Sequence, residues 1–318
     1  MTNDVKNFQK DQKFADCCDN WFLSNSPRLK PSSCAKYQAS IKNHIKPYFG
    51  NGPVSAVTAE RIDAFTGMLL HEKKLSAKTV RDILVLLHSI LLYVGRRTGQ
   101  NTSNLEIIYP KRSRKQIRIL NEQEEKSLLL YLADQMDLYK FGIYMALRTG
   151  LRIGELCALR WRDISMDDHT ISVSYTAQRI RSTAEAGSRK TEVILGTPKS
   201  DSSCRAIPLM PDLAALYSRF YCGNPNAFVL TGTLQCMEPR KLQRHLKTCM
   251  EKCGIPDVHF HTLRHTFATR CVEVGFDVKT LSEILGHANI NITLEQYVHP
   301  DMNRKRENMS RLKNVICL

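Results

Sequence analysis

The sequence predicts two domains, an all-α four-helix bundle followed by an α+β domain with a small antiparallel sheet. Three observations predict them. The chain has 318 residues, and a domain takes about 150. Through residues 1–100 apolar side chains recur every three or four positions, the helical period. Beyond that, a helical pattern is interrupted by 170–177 (TISVSYTA), which alternates Ile171, Val173 and Tyr175 as a half-buried strand does.

The helices of the first domain follow in order. Phe14 to Leu23 is a short amphipathic run. Pro31 opens a second helix carrying Tyr37, Ile41, Ile45 and Tyr48 on one face. Thr58 caps a third, with Ile62, Phe65 and Leu69 inward. Ser76 caps a fourth, with Ile83, Leu87, Ile90, Leu91 and Val94 inward, and Gly99 stops it.

In the second domain Asn121 caps a helix to about Leu132, and Leu138 to Arg148 forms another. After the strand over 170–177, a polar loop from Arg181 to Lys190 leads to a strand near Val193–Leu195. A hairpin turn, Lys199 to Ser203, leads to a strand over Arg205–Leu209. Helices resume at Asp212–Tyr221, Pro239–Lys252, Thr262–Glu273, Val278–Leu285 and Ile292–Val298. Trp161 and Asp163 read as an apolar anchor and a turn into the sheet.

Composition narrows the function. Apolar residues make up 42% and charged residues 24%, which excludes a disordered or collagen-like chain. The longest apolar run, Ile83 to Gly95, has 13 residues, short of the roughly 20 that span a bilayer. No membrane association is expected. The N-terminus lacks a basic-then-apolar signal pattern, so a cytoplasmic protein is expected. Eleven cysteines, an odd number without a C-x-x-C, read as free thiols in a reducing compartment. Cys249, Cys253, His259 and His261 match no common zinc spacing, and no metal is expected.

The net charge of +15 is uneven: residues 1–116 hold 19 basic and 9 acidic side chains, and residues 117–318 hold 27 and 22. A small domain carrying most of the excess points to a polyanion, most simply nucleic acid. Residues 109–116 read as a linker that includes Lys111, Arg112, Arg114 and Lys115. Such a run cannot be buried and suits a strap along phosphates. Arg205, beside the Lys199 turn, is either a further phosphate contact or a strand-edge charge.

The chemistry-bearing residues lie in the second domain. Arg152 and Glu155 are three apart, so the carboxylate can orient the guanidinium and leave donors for a phosphate. His261 and Arg264 share a helical face. Gly286-His287 follows an apolar helix, and Tyr297 lies ten residues further on. His265 reads as a packing or capping residue within its helix, and His299 as a turn residue.

The order Arg152, Lys199, His261-x-x-Arg264, Gly286-His287, Tyr297 resembles the tyrosine recombinase (phage integrase) family. The motifs cover about residues 120–300, and residues 10–105 look more loosely like that family's helical core-binding domain. The resemblance implies conservative site-specific DNA recombination through a 3′-phosphotyrosyl intermediate. Tyr297 would be the nucleophile and Lys199 the general acid for the 5′-hydroxyl. His261 would be the nearest base, and Glu155 a brace. Two guanidiniums, Arg152 and Arg264, can neutralise the charge that builds on the phosphoryl oxygens, and His287 adds a donor. No cofactor is implied. The expected division is 1–108 for the core-binding domain, 109–116 for the linker and 117–318 for the catalytic domain with its tail.

Partners implied by the resemblance are double-stranded DNA and a homotetramer on two sites, with a monomer or weak oligomer before DNA binds. Accessory DNA-bending or directionality factors stay open. An arm-binding domain is expected to be missing, because the first helix starts near Met1. The loop 181–190 and the segment 287–297 look less like the Xer pattern, which favours integration or excision of a mobile element. Xer-type dimer resolution is the alternative, and a type IB topoisomerase-like activity a more distant one. An apolar stripe of Leu312, Val315 and Ile316 is expected to dock on a neighbouring subunit.

Overall fold

Hydroxyl and proline caps set the helices of the first unit. Thr58 Oγ1 accepts from the Arg61 amide and Ser76 Oγ from the Thr79 amide, as the sequence predicts. The computed structural model describes residues 12–99, 105–111, 117–181, 191–198, 201–297, 302, 305–306 and 309–310, with backbone alone at 181 and 201. It divides into two units, 1–115 and 116–318.

The first unit is all-helical: α1 (Phe14–Asn25), α2 (Pro31–Ser40), α3 (Lys46–Phe49), α4 (Ala59–Gly67) and α5 (Ala77–Thr98). A π-helical turn, Ile41–Ile45, joins α2 to α3 into one rod, and another, Met68–Glu72, extends α4. Four rods therefore form the bundle. Their core is built on Phe14, Phe49 and Phe65, with Val80, Ile83, Leu87, Ile90, Leu91 and Val94 of α5 against it. Gly99, at φ 67°, ends α5 in the left-handed conformation that glycine adopts without strain. Lys111 is exposed, whereas Arg112, Arg114 and Lys115 lie outside the described residues.

The second unit opens with α6 (Glu122–Ala133), closed by a reciprocal capping box between Asn121 and Glu124. Then come α7 (Leu138–Thr149), α8 (Ile153–Ala158), β1 (Ile164–Ser165), β2 (Thr170–Val173), β3 (Thr176–Arg181), β4 (Thr191–Gly196) and β5 (Arg205–Pro208). The remaining helices are α9 (Pro211–Phe220), α10 (Pro239–Lys252), α11 (Phe260–Glu273), α12 (Val278–Leu285) and α13 (Ile290–Tyr297).

The sheet departs from the expected single strand over 170–177. The chain breaks at Ser174–Tyr175, and the halves enter different antiparallel sheets, β1-β2-β5 and β3-β4. Ile171 and Val173 are buried as the alternation predicts, but Tyr175 is 48% exposed. Because β4 pairs with β3 and β5 with β2, β4 and β5 belong to different sheets and are not the two strands of one hairpin. Lys199, the loop residues 182–190 and the tail residues 311–318 lie outside the described residues. No described helix is long and apolar enough to cross a membrane.

Candidate active site

Two glycine corners supply the carbonyls on which the site is hung. Gly150 ends α7 at φ 64°, where an added Cβ would meet Phe267 Cδ1 at 2.5 Å. Gly286 ends α12 at φ 64°, with Arg205 Nη1 2.9 Å from the position of a Cβ. A larger residue at either corner would be strained and crowded.

Those carbonyls aim two arginines. Arg264, on α11, is 2% exposed. Its Nη1 donates to Gly150 O (2.8 Å) and its Nη2 to Leu285 O (2.7 Å). Arg152, just before α8, donates through Nη2 to Gly286 O (2.9 Å) and through Nη1 to Glu155 Oε1 (2.6 Å). Its backbone amide donates to Glu155 Oε2 (3.0 Å). Burial, then the charge of Arg152, pushes the Arg264 pKa down to about 9, so it remains a cation at neutral pH.

Glu155 is the single carboxylate among these cations. It is 3% exposed. Burial works to raise its pKa, but hydrogen bonds and charge from Arg205 and Arg152 outweigh it and hold the carboxyl below its ordinary value. Arg205 corrects an expectation. Its side chain is 6% exposed, pairs with Glu155 and donates to Ser203 O (3.0 Å) and to Ile284 O. A guanidinium so enclosed braces Glu155 from behind and does not reach out to DNA.

His287 follows the Gly286 corner, with Nδ1 2.8 Å from Thr293 Oγ1. Its ring is parallel to that of Tyr297 at a centroid distance of 6.4 Å. Burial, followed by the charges of Arg264, Arg152 and Arg205, drives its pKa to about 4. It is therefore neutral near pH 7, able to offer one N–H. His261 is exposed at the start of α11, and with Arg152 and Gln243 it lines a cleft of about 230 Å³. Partial desolvation and the charges of Arg264 and Arg152 hold its pKa below the ordinary value.

Tyr297, the last residue of α13, is 7% exposed within an apolar cluster of Ala268, Cys271, Leu281 and Leu285. Burial raises its pKa, opposed by Arg264 and Arg152. Its hydroxyl lies 2.7 Å from His265 Nδ1, so His265 is more than packing. The sequence carried a signal: His265 is four residues from His261, hence on the same helical face, and the two rings meet edge to face at 4.4 Å.

Folding thus brings together Arg152, Glu155, Arg205, Arg264, His287 and Tyr297, with His261 at the rim. A compact group with three guanidiniums and one carboxylate is preorganised for an anion. Among the described residues, no three His, Cys, Asp or Glu side chains group as metal ligands.

One face of α10 lines a groove of about 1020 Å³ with Arg240, Gln243, Arg244 and Lys247, and β3 adds Arg179; Glu238, Glu251 and Asp257 share the lining, where Arg179 pairs with Glu238 at 3.0 Å and Lys247 with Glu251 at 3.6 Å.

The sequence model of the phage integrase family matches residues 118–304, and that of the phage integrase N-terminal SAM-like domain matches residues 13–68. The chain belongs to the phage integrase family. It is a tyrosine recombinase, an enzyme that breaks and rejoins DNA. A tyrosine recombinase XerC-like protein of Caldanaerobacter subterraneus is 26% identical over 310 residues, covering 90% of this chain and 78% of its own. The ICEBs1 integrase of Bacillus subtilis is 23% identical over 305 residues, covering 90% and 79%. The Tn1549 transposon integrase, solved with a circular intermediate DNA, shares the fold with a TM-score of 0.74 at 21% identity, over 93% of this chain and 99% of that one. The phage integrase fold thus extends over both units.

Proposed function

We propose that this recombinase integrates and excises a mobile element, with Tyr297 as nucleophile. The observation that supports the site assignment is that two guanidiniums held by glycine-corner carbonyls act on Tyr297, their charge opposing the rise in its pKa that burial causes. In-line attack by Oη on a phosphodiester forms the Oη–P bond and breaks the P–O5′ bond, leaving a 3′-phosphotyrosine and a free 5′-hydroxyl. Arg152 and Arg264 neutralise the added phosphoryl charge, and His287 donates to it, while His261, which the resemblance gives as the nearest base, lines the cleft beside Arg152. Lys199 gives the 5′-oxygen its proton. Glu155, braced by Arg205, sets the orientation of Arg152. The bond energy is retained in the adduct, so a 5′-hydroxyl from another strand reverses the step without ATP.

Duplex DNA would be held by the helical domain 1–108, by the basic linker 109–116 with Lys111, Arg112, Arg114 and Lys115, and by the basic face of α10. Four copies would hold two recombination sites, with the tail of each docked on a neighbour. The mobile-element role is supported by the likeness to the ICEBs1 integrase, named for integration. The XerC-like relative favours dimer resolution as a second reading.

Tyr297→Phe keeps the ring and removes the nucleophile. It is expected to bind DNA and form no SDS-resistant adduct with a nicked suicide duplex. An adduct on the variant would move the nucleophile elsewhere. Recombination between attachment-like repeats flanking the gene supports the element role, whereas exchange confined to a chromosomal dimer-resolution site supports the second reading.

A further inference from the structure

We propose that His265 is a catalytic residue of this recombinase: its Nδ1 accepts the phenolic proton of Tyr297 as Oη attacks phosphorus. The inference rests on the reading of Tyr297 as nucleophile. Its ground is geometric. A general base must lie within hydrogen-bond reach of the proton it takes, and a third group should orient it. His265 Nδ1 stands 2.7 Å from Tyr297 Oη. His261, four residues earlier, presses its ring edge to face on His265 at 4.4 Å and fixes its plane. Consecutive helical residues diverge by about 100°. Arg264 therefore enters the interior toward the Gly150 and Leu285 carbonyls, while His265 turns to α13.

Protonation state fits the task. Among the groups on the elements packed against α11, His261 and Arg264 on its own helix and Tyr297 on α13 face His265, and Tyr297 in turn faces Arg264, Arg152 and the ring of His287. Burial, His261 and Arg264 drive the His265 pKa to about 4, which leaves the ring neutral with a free acceptor nitrogen. Nδ1 as acceptor requires the proton on Nε2. A phosphodiester seated among the guanidiniums offsets the charges that depress this pKa, so basicity rises when substrate is present.

The step balances. Oη bonds to phosphorus, the phenolic proton passes to Nδ1, the P–O5′ pair leaves with oxygen, and Lys199 protonates that oxygen. Ligation runs the same transfers backwards, with the imidazolium returning its proton to the phenolate as it leaves.

The test uses the full chain and single-turnover cleavage of a nicked suicide duplex across pH, with gel-shift DNA binding as the control for folding. His265→Ala and His265→Asn are expected to lose about a hundred- to ten-thousand-fold near neutral pH. Their residual rate should rise about tenfold per pH unit toward the tyrosine pKa, more steeply than wild type. Asn preserves an acceptor in place of Nδ1 but cannot hold the proton. Recovery by His265→Asn to within about threefold of wild type, well inside the loss expected of a missing base, would reduce His265 to a positioning residue and overturn the proposal. So would an undiminished rate in His265→Ala. The wild-type protein gives a reading independent of any variant's folding: the ¹⁵N shifts of His265 should report the Nε2–H tautomer, and an Nδ1–H tautomer overturns the proposal. Tyr297→Phe separates the two assignments. An inert Tyr297→Phe beside an active His265→Ala removes only the base, whereas an adduct on Tyr297→Phe removes the nucleophile as well.

Discussion

Arg205 Nη2 lies 3.0 Å from Glu155 Oε2, and its Nη1 lies 3.2 Å from the other carboxylate oxygen. The pair stands fifty residues apart in sequence, beneath Arg152. Its function is architectural: Arg205 anchors the carboxylate that orients Arg152.

Removing one member of a buried pair leaves the other charge uncompensated, at a cost of about 3–5 kcal/mol. Arg205→Ala should therefore lower urea-unfolding stability by that order. Glu155→Gln should cost at least as much, because both carboxylate oxygens accept from guanidinium or amide N–H groups, and an amide nitrogen at either position opposes a donor and leaves Arg205 without its counter-charge. The Glu155 pKa is held below its ordinary 4.5 in the fold, so its contribution is complete above about pH 4.5 and is lost as pH falls through the folded value. The wild-type advantage over Arg205→Ala should shrink in acid. An advantage that is constant down to about pH 3 would contradict the linkage.

Gly286→Ala tests the corner that carries Arg152. A left-handed residue with a Cβ costs about 1–2 kcal/mol, and crowding against Arg205 adds to it. Displacing the Gly286 carbonyl also frees the Arg152 guanidinium. Cleavage should fall by more than the folded fraction does, measured as single-turnover rate beside a denaturation curve. A rate that tracks the folded fraction alone would detach Gly286 from the site.

Much of the scaffold was legible locally. Thr58, Ser76 and Asn121 are caps whose partners lie three residues away, and those contacts form as the spacing predicts. What escaped was long-range. Alternation over 170–177 specifies which side chains are buried but not that the strand changes partner at Ser174–Tyr175. The sequence leaves Arg205 open between a phosphate contact and a strand-edge charge because its carboxylate lies on a distant helix. His265 was read as packing because Tyr297 is 32 residues away. No residue-type pattern signals that main-chain carbonyls at Gly150 and Gly286 hold two arginines.

His287 and His265 make stability depend on pH. Each folded pKa sits at about 4, against an ordinary 6.5. A depressed histidine supports the fold fully above about pH 6.5, and that support is lost as pH falls through about 4. Both rings are half-buried, so screening reduces the effect to about 1–2 kcal/mol each. Urea unfolding without DNA should therefore weaken between about pH 6.5 and 4, and His287→Gln should flatten part of that slope. An unchanged slope in His287→Gln would place the titration elsewhere.

Lys199 remains to be tied to the leaving group. It lies in the connection between β4 and β5, six residues before Arg205, whose guanidinium is fixed to Glu155. A 5′-alkoxide is a poor leaving group unless it is protonated as it departs, whereas a thiolate departs without a proton. Lys199→Ala should therefore slow cleavage of an ordinary phosphodiester by about a hundred- to ten-thousand-fold. A duplex with a 5′-bridging sulfur at the scissile position should be cleaved by the same variant at nearly the wild-type rate. The comparison cancels losses in DNA binding and folding, because both substrates meet the same protein. If the variant slows both substrates equally, Lys199 acts as a phosphate contact and the proton comes from another group.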